Sequence, residues 1–235
     1  RASIMTGKYP ARTGITDWIP GMKAGNRRLE QLHPAGQLAL EEVTLGEAFK
    51  AAGYQTFYTG KWHLGDAGFS PLEQGFDEYV GDADIGGSGG GGEKARKLKA
   101  RLESTARFTD ASLEFLDRHD PARPFLLFLA YHDVHTPIQP MPGLVEPYQV
   151  RAAALAGETP VRRERNGRTR LRQDDPAYAS MVAAVDESVG KLRSRLRALG
   201  LDTNTIVVFT SDNGGLATRQ TPGPACNLPL RAGKG

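Results

Sequence analysis

The chain repeats one hydrophobic pattern three times: an amphipathic helical segment followed by a short, continuously apolar segment. Thr44 and Glu47 form a capping-box pattern that starts the first helix, and Gly53 is a typical helix stop. Apolar residues at helical spacing mark the other two helices, and β-branched and aromatic residues mark the strands. The predicted helices cover residues 45–52, 104–120 and 176–200, and the predicted strands cover residues 54–58, 125–131 and 205–210.

This alternation predicts an α/β fold with a mainly parallel sheet sandwiched by helices. In such a fold, the loops that follow the strands meet at one edge of the sheet, where ligands bind. The motifs GKWHLG, HDVHTP and SDNGG follow the three predicted strands. We therefore expect these three motifs to supply the functional site.

The length of 235 residues suits one large α/β domain. Two connecting segments, about residues 82–103 and 138–175, are predicted to be irregular and either flexible or variable. Glycines in the first of them spell GxGxxG, but no strand-to-helix turn surrounds them, so a dinucleotide site is not predicted. The chain opens on Arg1 and ends on a Gly-rich turn, which predicts a piece of a longer protein.

The composition is typical of a globular protein, with 39% hydrophobic and 24% charged residues. The longest apolar run, residues 125–131, is far shorter than the roughly 20 residues that a membrane-spanning helix needs. No membrane span is therefore predicted. Cys226 is the single cysteine, which excludes an intrachain disulfide and leaves the cellular compartment open.

The net charge is only +3, but positive charge is concentrated between residues 151 and 172. The arginines of this stretch are Arg151, Arg162, Arg163, Arg165, Arg168, Arg170 and Arg172. No aromatic ring is interleaved with them, so nucleic-acid binding is not predicted. A solvated surface loop is the favoured interpretation, and a rim that attracts an anionic substrate is the alternative.

GKWHLG contains Lys61 and His63 two positions apart, so an extended chain would direct both to one side and Trp62 to the other. A cation and an imidazole in one cleft could hold an anion and move a proton. The alternative, equally weighted from the residues alone, is a solvent-facing lysine and a histidine that caps a turn.

HDVHTP contains His132 and His135, whose spacing of three in an extended chain argues against a shared metal. We expect His135, which precedes Thr136 and Pro137 at a turn, to be exposed and to face the cleft. His132 is then the buried or supporting histidine.

SDNGG contains Asp212 and Asn213, whose oxygens are hard ligands suited to Ca²⁺ or, less well, Mg²⁺. An ordinary Asx turn is the alternative. Two residues do not complete a Ca²⁺ shell, so further ligands are expected from outside this chain. Lys234 lies between glycines in RAGKG, and with Arg1 and Lys61 it gives a set of cations suited to an oxyanion ester.

The opening RASIMTGKYPARTG resembles the continuation of the sulfatase signature C-x-P-[ST]-R-A-x-[ILM]-[ML]-T-G-[KR]-Y-P-x-R, and TGKWHLG resembles the second signature of that family. HTP, SDNGG and LRAGKG follow in the family's order. The resemblance covers the whole chain and implies an incomplete N-terminal domain of a sulfatase of the alkaline phosphatase superfamily.

The resemblance also implies a role for each matching residue. Arg1 would steady a formylglycine made from a Cys or Ser four positions upstream, Lys61 would bind sulfate and the aldehyde hydrate, and His63 would accept a proton from that hydrate. His135 would protonate the leaving alcohol, and Lys234 would be a second sulfate-binding lysine. Asp212 and Asn213 would bind Ca²⁺ together with two upstream aspartates. Cys226 does not match the modified residue.

The implied activity is hydrolysis of a sulfate ester of a carbohydrate or an aryl alcohol, in a protein activated by a formylglycine-generating or other sulfatase-maturing enzyme. Two alternatives stay open: a phosphate or phosphonate ester hydrolase of the same superfamily, and a non-catalytic protein that binds sulfated glycans. The family's habits imply a periplasmic or secreted location. The 235-residue piece alone is expected to be inactive.

Overall fold

The structure is a computed structural model that describes residues 1–19, 34–81, 93–164, 167–219, 223–230 and 233, with the side chains of residues 93–101 left out. The chain forms two compact units. The first unit comprises Arg1–Gly86 and Asp110–Ala130, and the second comprises Gly87–Thr109 and Tyr131–Gly235. Each unit is described by itself.

The first unit contains a parallel sheet and short helices. Its elements are α1 (Ala2–Thr6), α2 (Pro10–Thr13), α3 (Leu45–Ala51), β1 (Gln55–Gly60), β2 (Glu78–Val80), the last turns of α4 (Glu93–Arg118) and β3 (Phe125–Ala130). The strand order is β2-β1-β3, with both neighbours parallel to β1. The predicted strands at 54–58 and 125–131 and the predicted parallel sheet are confirmed.

Both faces of β1 are covered by helical residues. Phe57 stacks on Phe115 of α4, with ring centroids 4.7 Å apart. On the opposite face, Tyr58 stacks on Phe128 at 5.1 Å and belongs to the same buried cluster as Met5 of α1. This packing confirms, within the first unit, a sheet enclosed between helices.

The second unit contains the beginning of α4, two further helices and a small antiparallel sheet. The elements that follow β3 are α5 (Glu146–Ala153), β4 (Val161–Glu164), β5 (Gly167–Arg170), α6 (Pro176–Ala198), a 3₁₀ turn (Asp202–Asn204) and β6 (Thr218–Arg219). The strand order of the sheet is β4-β5-β6. The sequence analysis does not predict this sheet.

The helix boundaries follow from local chemistry. Thr44 and Glu47 form the predicted capping box: the Thr44 hydroxyl accepts from the Glu47 backbone, and the Glu47 carboxylate accepts from the Thr44 backbone. Asp175 caps α6 by accepting a hydrogen bond from the backbone of Tyr178, and Pro176 occupies the first helical position. The three predicted helices are therefore confirmed, with small shifts at their ends except that α4 begins eleven residues before its predicted start.

Two predictions about secondary structure are wrong. Residues 93–103 belong to α4 rather than to an irregular segment, while residues 82–92 lie outside the described part. Residues 138–175 contain α5, β4 and β5. The Arg-rich sequence therefore forms a hairpin, because strand pairing satisfies its backbone hydrogen bonds while Arg162, Arg163 and Arg168 stay exposed.

Residues 205–210 are also predicted wrongly, since they form no strand in the structure. Ile206 is 91% exposed and Phe209 is 71% exposed. An isolated extended segment gains no ladder hydrogen bonds, and none of the described strands pairs with this one. Apolar sequence alone therefore does not form a strand here.

Within the described residues, the structure contains no helix that is both long enough and apolar enough to cross a membrane.

Candidate active site

Lys61 is the first residue after β1, at the carboxyl edge of the parallel sheet. Its backbone N–H donates to the Ala130 carbonyl at 2.9 Å, which extends the pairing of β1 with β3 past the end of the strand. Gly60 makes this close approach possible, because its φ is 101° and a side chain there would overlap the Ala130 carbonyl. The backbone that presents Lys61 is thus held by sheet pairing.

Arg1 lies directly against this strand end. Its Nη1 donates to the Lys61 carbonyl oxygen at 2.6 Å and lies 3.4 Å from the Tyr58 hydroxyl. The Tyr58 hydroxyl itself donates to the same carbonyl at 2.7 Å. The first residue of the chain and the lysine 60 positions later are therefore joined through one carbonyl group.

Tyr58 is a site residue that the sequence analysis missed. Its ring is 1% exposed and belongs to the core, while its hydroxyl reaches the Lys61 carbonyl. The sequence shows only an aromatic residue in an apolar strand, so nothing in the local pattern could have marked its second role.

His63 has an unusual backbone conformation, with φ at 58°, so the chain is not simply extended from Lys61 to His63 as predicted. Trp62 is 5% exposed and donates to the Phe69 carbonyl at 2.7 Å, whereas His63 is exposed. The predicted separation of Trp62 from His63 therefore holds. A left-handed non-glycine residue is costly and is often found at functional sites.

The hydrogen bond of His63 fixes which ring nitrogen is basic. Its Nε2 lies 2.7 Å from the carbonyl oxygen of Ile19. Because a carbonyl only accepts, Nε2 carries the hydrogen, and Nδ1 is the basic nitrogen of the neutral ring.

The two histidines that follow β3 have different surroundings, as predicted. His132 is partly buried and stacks on Phe108 with centroids 6.0 Å apart, whereas His135 is exposed. The Nδ1 of His135 lies 2.8 Å from the Thr136 carbonyl oxygen, so this nitrogen is the donor. Nε2 is then the nitrogen of His135 that can take up or release a proton.

Asp212 and Asn213 lie side by side on an exposed loop. The Asn213 amide donates through Nδ2 to the Gly214 carbonyl at 2.9 Å. Its side-chain NH₂ is thereby engaged, which leaves the amide oxygen as the atom with ligand character. A carboxylate and an amide oxygen fit a hard cation such as Ca²⁺.

The SDNGG loop is braced from later in the chain. Asn227 accepts from the Gly215 N–H at 3.0 Å and donates to the Gly215 carbonyl at 2.8 Å. A side chain on Gly233 would overlap that same carbonyl, so Gly233 lies directly against the loop. Asn227 is a second residue that the sequence analysis missed, because it lies in no motif. Lys234 is outside the described residues.

Tyr178 of α6 also lies beside this loop. A side chain on Gly215 would come within 3.0 Å of the Tyr178 hydroxyl. Burial raises the pKa of the Tyr178 phenol above its ordinary value. The phenol therefore stays protonated and uncharged next to the SDNGG loop.

The predicted site residues thus fall into two groups. Arg1, Lys61 and His63 lie in the first unit, and His135, Asp212 and Asn213 lie in the second. Within the described part of the chain, His, Cys, Asp and Glu side chains form no cluster of three or more that could hold a metal.

The described structure is thus that of an α/β protein with a parallel sheet, whose carboxyl edge carries Arg1 and Lys61. The Sulfatase family profile matches residues 1–235, and the chain therefore belongs to the Sulfatase family. This confirms the family resemblance drawn from the motifs.

Individual relatives agree with this assignment. The chain is 28% identical to mouse Arylsulfatase J over its whole length, covering 37% of that protein. It is 30% identical to human Arylsulfatase A, covering 46% of that protein. It is 31% identical, over 91% of this chain, to the Ulvan-active sulfatase of Formosa agariphila, covering 40% of that protein. The chain spans less than half the length of these relatives.

Solved structures give the same fold. The crystal structure of Ps i-CgsB in complex with k-i-k-neocarrahexaose matches with a TM-score of 0.69 and 26% identity, covering all of this chain and 51% of that one. A structure in complex with D-glucosamine-2-N,6-O-disulfate matches with a TM-score of 0.62 and 19% identity, covering 90% of this chain and 55% of that one. The alkaline-phosphatase-like α/β fold predicted from the motifs is confirmed.

Proposed function

We propose that this chain forms part of the catalytic domain of a sulfatase that hydrolyses sulfate esters of carbohydrates or aryl alcohols. The observation that carries the proposal is the hydrogen bond from Arg1 to the Lys61 carbonyl, which joins the two signature motifs at one edge of the sheet. The names of the relatives, among them an Ulvan-active sulfatase, support a sulfated carbohydrate as the substrate class.

A formylglycine located upstream of Arg1 would supply the nucleophile. Arg1 is anchored through Nη1 on the Lys61 carbonyl. This anchor would hold the chain that runs back from Arg1 to the formylglycine close to the strand end. Lys61 directly follows β1 in the chain and places a positive charge at the same strand end. Such a charge stabilises the sulfuryl oxygens as negative charge develops on them.

The two histidines would move protons through opposite ring nitrogens. Because Nε2 of His63 donates to Ile19, Nδ1 is the nitrogen that would act as the base. Because Nδ1 of His135 donates to Thr136, Nε2 is the nitrogen that would protonate the leaving alcohol. Proton transfer at a leaving oxygen is a typical task of a positioned imidazole.

Asp212 and Asn213 would hold Ca²⁺, with further ligands from outside this chain. The bound ion would offset charge on the sulfate oxygens. Lys234 would be a second sulfate-binding cation. It is the neighbour of Gly233, which contacts the loop that carries Asp212 and Asn213.

The complete protein is further proposed to act outside the cytoplasm, in the periplasm or as a secreted enzyme, after activation by a sulfatase-maturing enzyme. The family membership supports both points. Peptide mass spectrometry tests the activation. We expect the mass of the residue four positions before Arg1 to change to that of formylglycine only when a maturing enzyme is co-expressed.

The function is tested on the full-length natural protein with 4-nitrophenyl sulfate and 4-nitrophenyl phosphate. We expect turnover of the sulfate, and we expect Lys61→Ala to reduce it by about 100-fold or more. Lys50→Ala removes an exposed lysine from α3 and serves as the matched control, with turnover unchanged. Dominant phosphate turnover would instead identify a phosphate ester hydrolase, and turnover of neither ester would favour a glycan-binding protein without activity.

A further inference from the structure

Three arginines form a row across the small sheet of the second unit, and we call this row the arginine ladder. Arg163 of β4 lies directly opposite Arg168 of β5, and Arg168 lies directly opposite Arg219 of β6. Residues directly opposite each other in antiparallel strands point to the same face, with Cβ atoms about 5 Å apart. The ladder therefore places three positive charges in a line on one face of the sheet.

This arrangement is unfavourable for the sheet itself. Like charges directly opposite each other destabilise a strand pair. All three side chains are exposed. Among the described residues, none of the three makes a hydrogen bond or an ion pair, so nothing in this part of the chain offsets their repulsion.

Other arginines of the same segment are neutralised. Arg162 donates to Glu164 at 2.8 Å, and both lie on the opposite face of the sheet. Arg170 and Arg172 both pair with Asp174. Within the described hairpin, the arginines outside the ladder therefore have an acidic partner, and those of the ladder do not.

The opposite face of the sheet is built differently. Thr169 is 5% exposed, and its hydroxyl lies 2.6 Å from that of Thr218 on the neighbouring strand. The two threonines thus form a packed pair on that face, beside the exposed Arg162, while the other face presents the three cations of the ladder to solvent next to the paired Arg170. A rigid, linear set of cations suits a linear polyanion better than a single small anion, because several anionic groups can be bound at once.

The chemistry of the strands selects between two kinds of polyanion. Strands β4, β5 and β6 contain no aromatic residue. Single-stranded nucleic acids are normally held by stacking of bases on aromatic rings in addition to charge. A sulfated polysaccharide needs no stacking platform, so it fits the ladder better.

The ladder is also close to the proposed metal ligands along the chain. Arg219 follows Asn213 by six residues, which can span at most about 20 Å. Both residues belong to the second unit. A polymer bound on the ladder could therefore extend towards the loop that carries Asp212 and Asn213.

We propose that the arginine ladder binds the sulfated polysaccharide chain whose ester is hydrolysed at the candidate active site. This inference rests on the proposed function for the identity of the anion. The sequence left two interpretations of the Arg-rich segment open, a solvated surface loop and a rim that attracts an anionic substrate. The inference selects the rim.

The test is binding of the full-length protein to dextran sulfate, with uncharged dextran as the reference polymer. Arg163→Gln, Arg168→Gln and Arg219→Gln are combined in one variant. We expect this variant to bind dextran sulfate more weakly, on the order of tenfold at low salt, with a plot of log K against log salt that is shallower by about 2. Unfolding curves verify that the variant is folded.

The matched control combines Lys191→Gln, Arg193→Gln and Arg197→Gln on α6, which removes the same number of exposed positive charges from the same unit. Its affinity should stay near that of the wild type. An equal loss of affinity in both variants would show that only net charge matters and would overturn the ladder.

A single variant separates binding from folding. Arg168→Gln removes the central charge and both opposed pairs, so it should keep or slightly raise the unfolding temperature while weakening dextran sulfate binding. Unchanged binding in this variant and in the triple variant would overturn the inference. Binding of a single-stranded oligonucleotide that is tighter than binding of dextran sulfate and equally ladder-dependent would also overturn it.

The outcome is independent of the proposed activity. Absence of aryl sulfate turnover by the wild type would remove the proposed function, whereas ladder-dependent dextran sulfate binding in the same protein would uphold the polymer-binding surface. Turnover of aryl sulfate, together with dextran sulfate binding that the ladder variants do not change, would uphold the proposed function and overturn the polymer-binding surface.

Discussion

At the residue scale, the site depends on backbone positions as much as on side-chain identity. Gly60 allows β1 and β3 to come close just before Lys61, and the carbonyl of Lys61 is the acceptor that holds Arg1. His63 takes a left-handed conformation that a residue with a Cβ adopts at a cost. Packing around Trp62 and the bond to Ile19 offset that cost.

The conformation of His63 gives a prediction about stability. His63→Gly and His63→Ala both remove the imidazole, but only glycine adopts a φ of 58° without strain. The glycine variant should therefore be more stable than the alanine variant by about 1 kcal/mol in urea unfolding. The same pair of substitutions at Lys50, inside α3, is the control and should show the reverse order by about 1 kcal/mol. Equal stability of the two His63 variants would contradict the strained conformation.

At the element scale, the Arg-rich hairpin shows how far local sequence reasoning goes. The charge is obvious from the sequence, and the expected exposure holds for Arg163 and Arg168 but not for Arg170, whose side chain is 13% exposed. The pairing that aligns Arg163, Arg168 and Arg219 depends on strand register and on β6, which lies about 50 residues further along the chain. A surface loop was therefore the natural prediction, and the hairpin could not be obtained from local pattern alone.

Asp174 makes this element sensitive to pH. Burial alone would raise the pKa of this carboxyl, but hydrogen bonds from Arg172 and Thr159, together with the charges of Arg170 and Arg172, hold it below its ordinary value. A lowered pKa in the folded state means that ionised Asp174 stabilises the protein above about pH 4, and that this contribution is lost as the pH falls through the folded-state pKa.

Asp174→Asn should accordingly lower the free energy of unfolding by about 2 kcal/mol at neutral pH, since charged hydrogen bonds are lost. The difference from the wild type should shrink as the pH falls below about 4 and through the lowered folded-state pKa of Asp174. Urea unfolding at several pH values measures it. Glu158→Gln, an exposed acid of the same segment, is the control and should have little effect at any pH. A difference that stays constant with pH would exclude the ionised carboxylate as the cause.

At the scale of the whole molecule, the candidate residues are divided between the two units. Arg1, Lys61 and His63 come from one of them, and His135, Asp212 and Asn213 from the other. A ligand that binds only the folded protein raises its stability by mass action. Ca²⁺ binding at Asp212 and Asn213 should therefore be visible as an increase in unfolding temperature.

For full-length protein stripped with a chelator, Ca²⁺ at about 100 times its dissociation constant should add about 2.7 kcal/mol to the free energy of unfolding. Asp212→Ala should abolish most of this increase, because it removes the charged ligand. Asp202→Ala, an exposed acid in the nearby 3₁₀ turn, should leave it intact. A Ca²⁺ effect that persists in Asp212→Ala would place the ion elsewhere.

The sequence alone determined α3, α6, the second half of α4, two strands of the parallel sheet and the family, and it named the candidate residues, because these depend on local periodicity, capping and short motifs. Only the tertiary structure decided that Tyr58 and Arg1 meet on the Lys61 carbonyl, that Asn227 braces Gly215, and that three arginines align across β4, β5 and β6. It also decided that residues 205–210 form no strand. The physical reason is the same throughout: hydrogen bonds and like-charge contacts between distant residues depend on which segments are paired, and an apolar or charged sequence does not specify its partner.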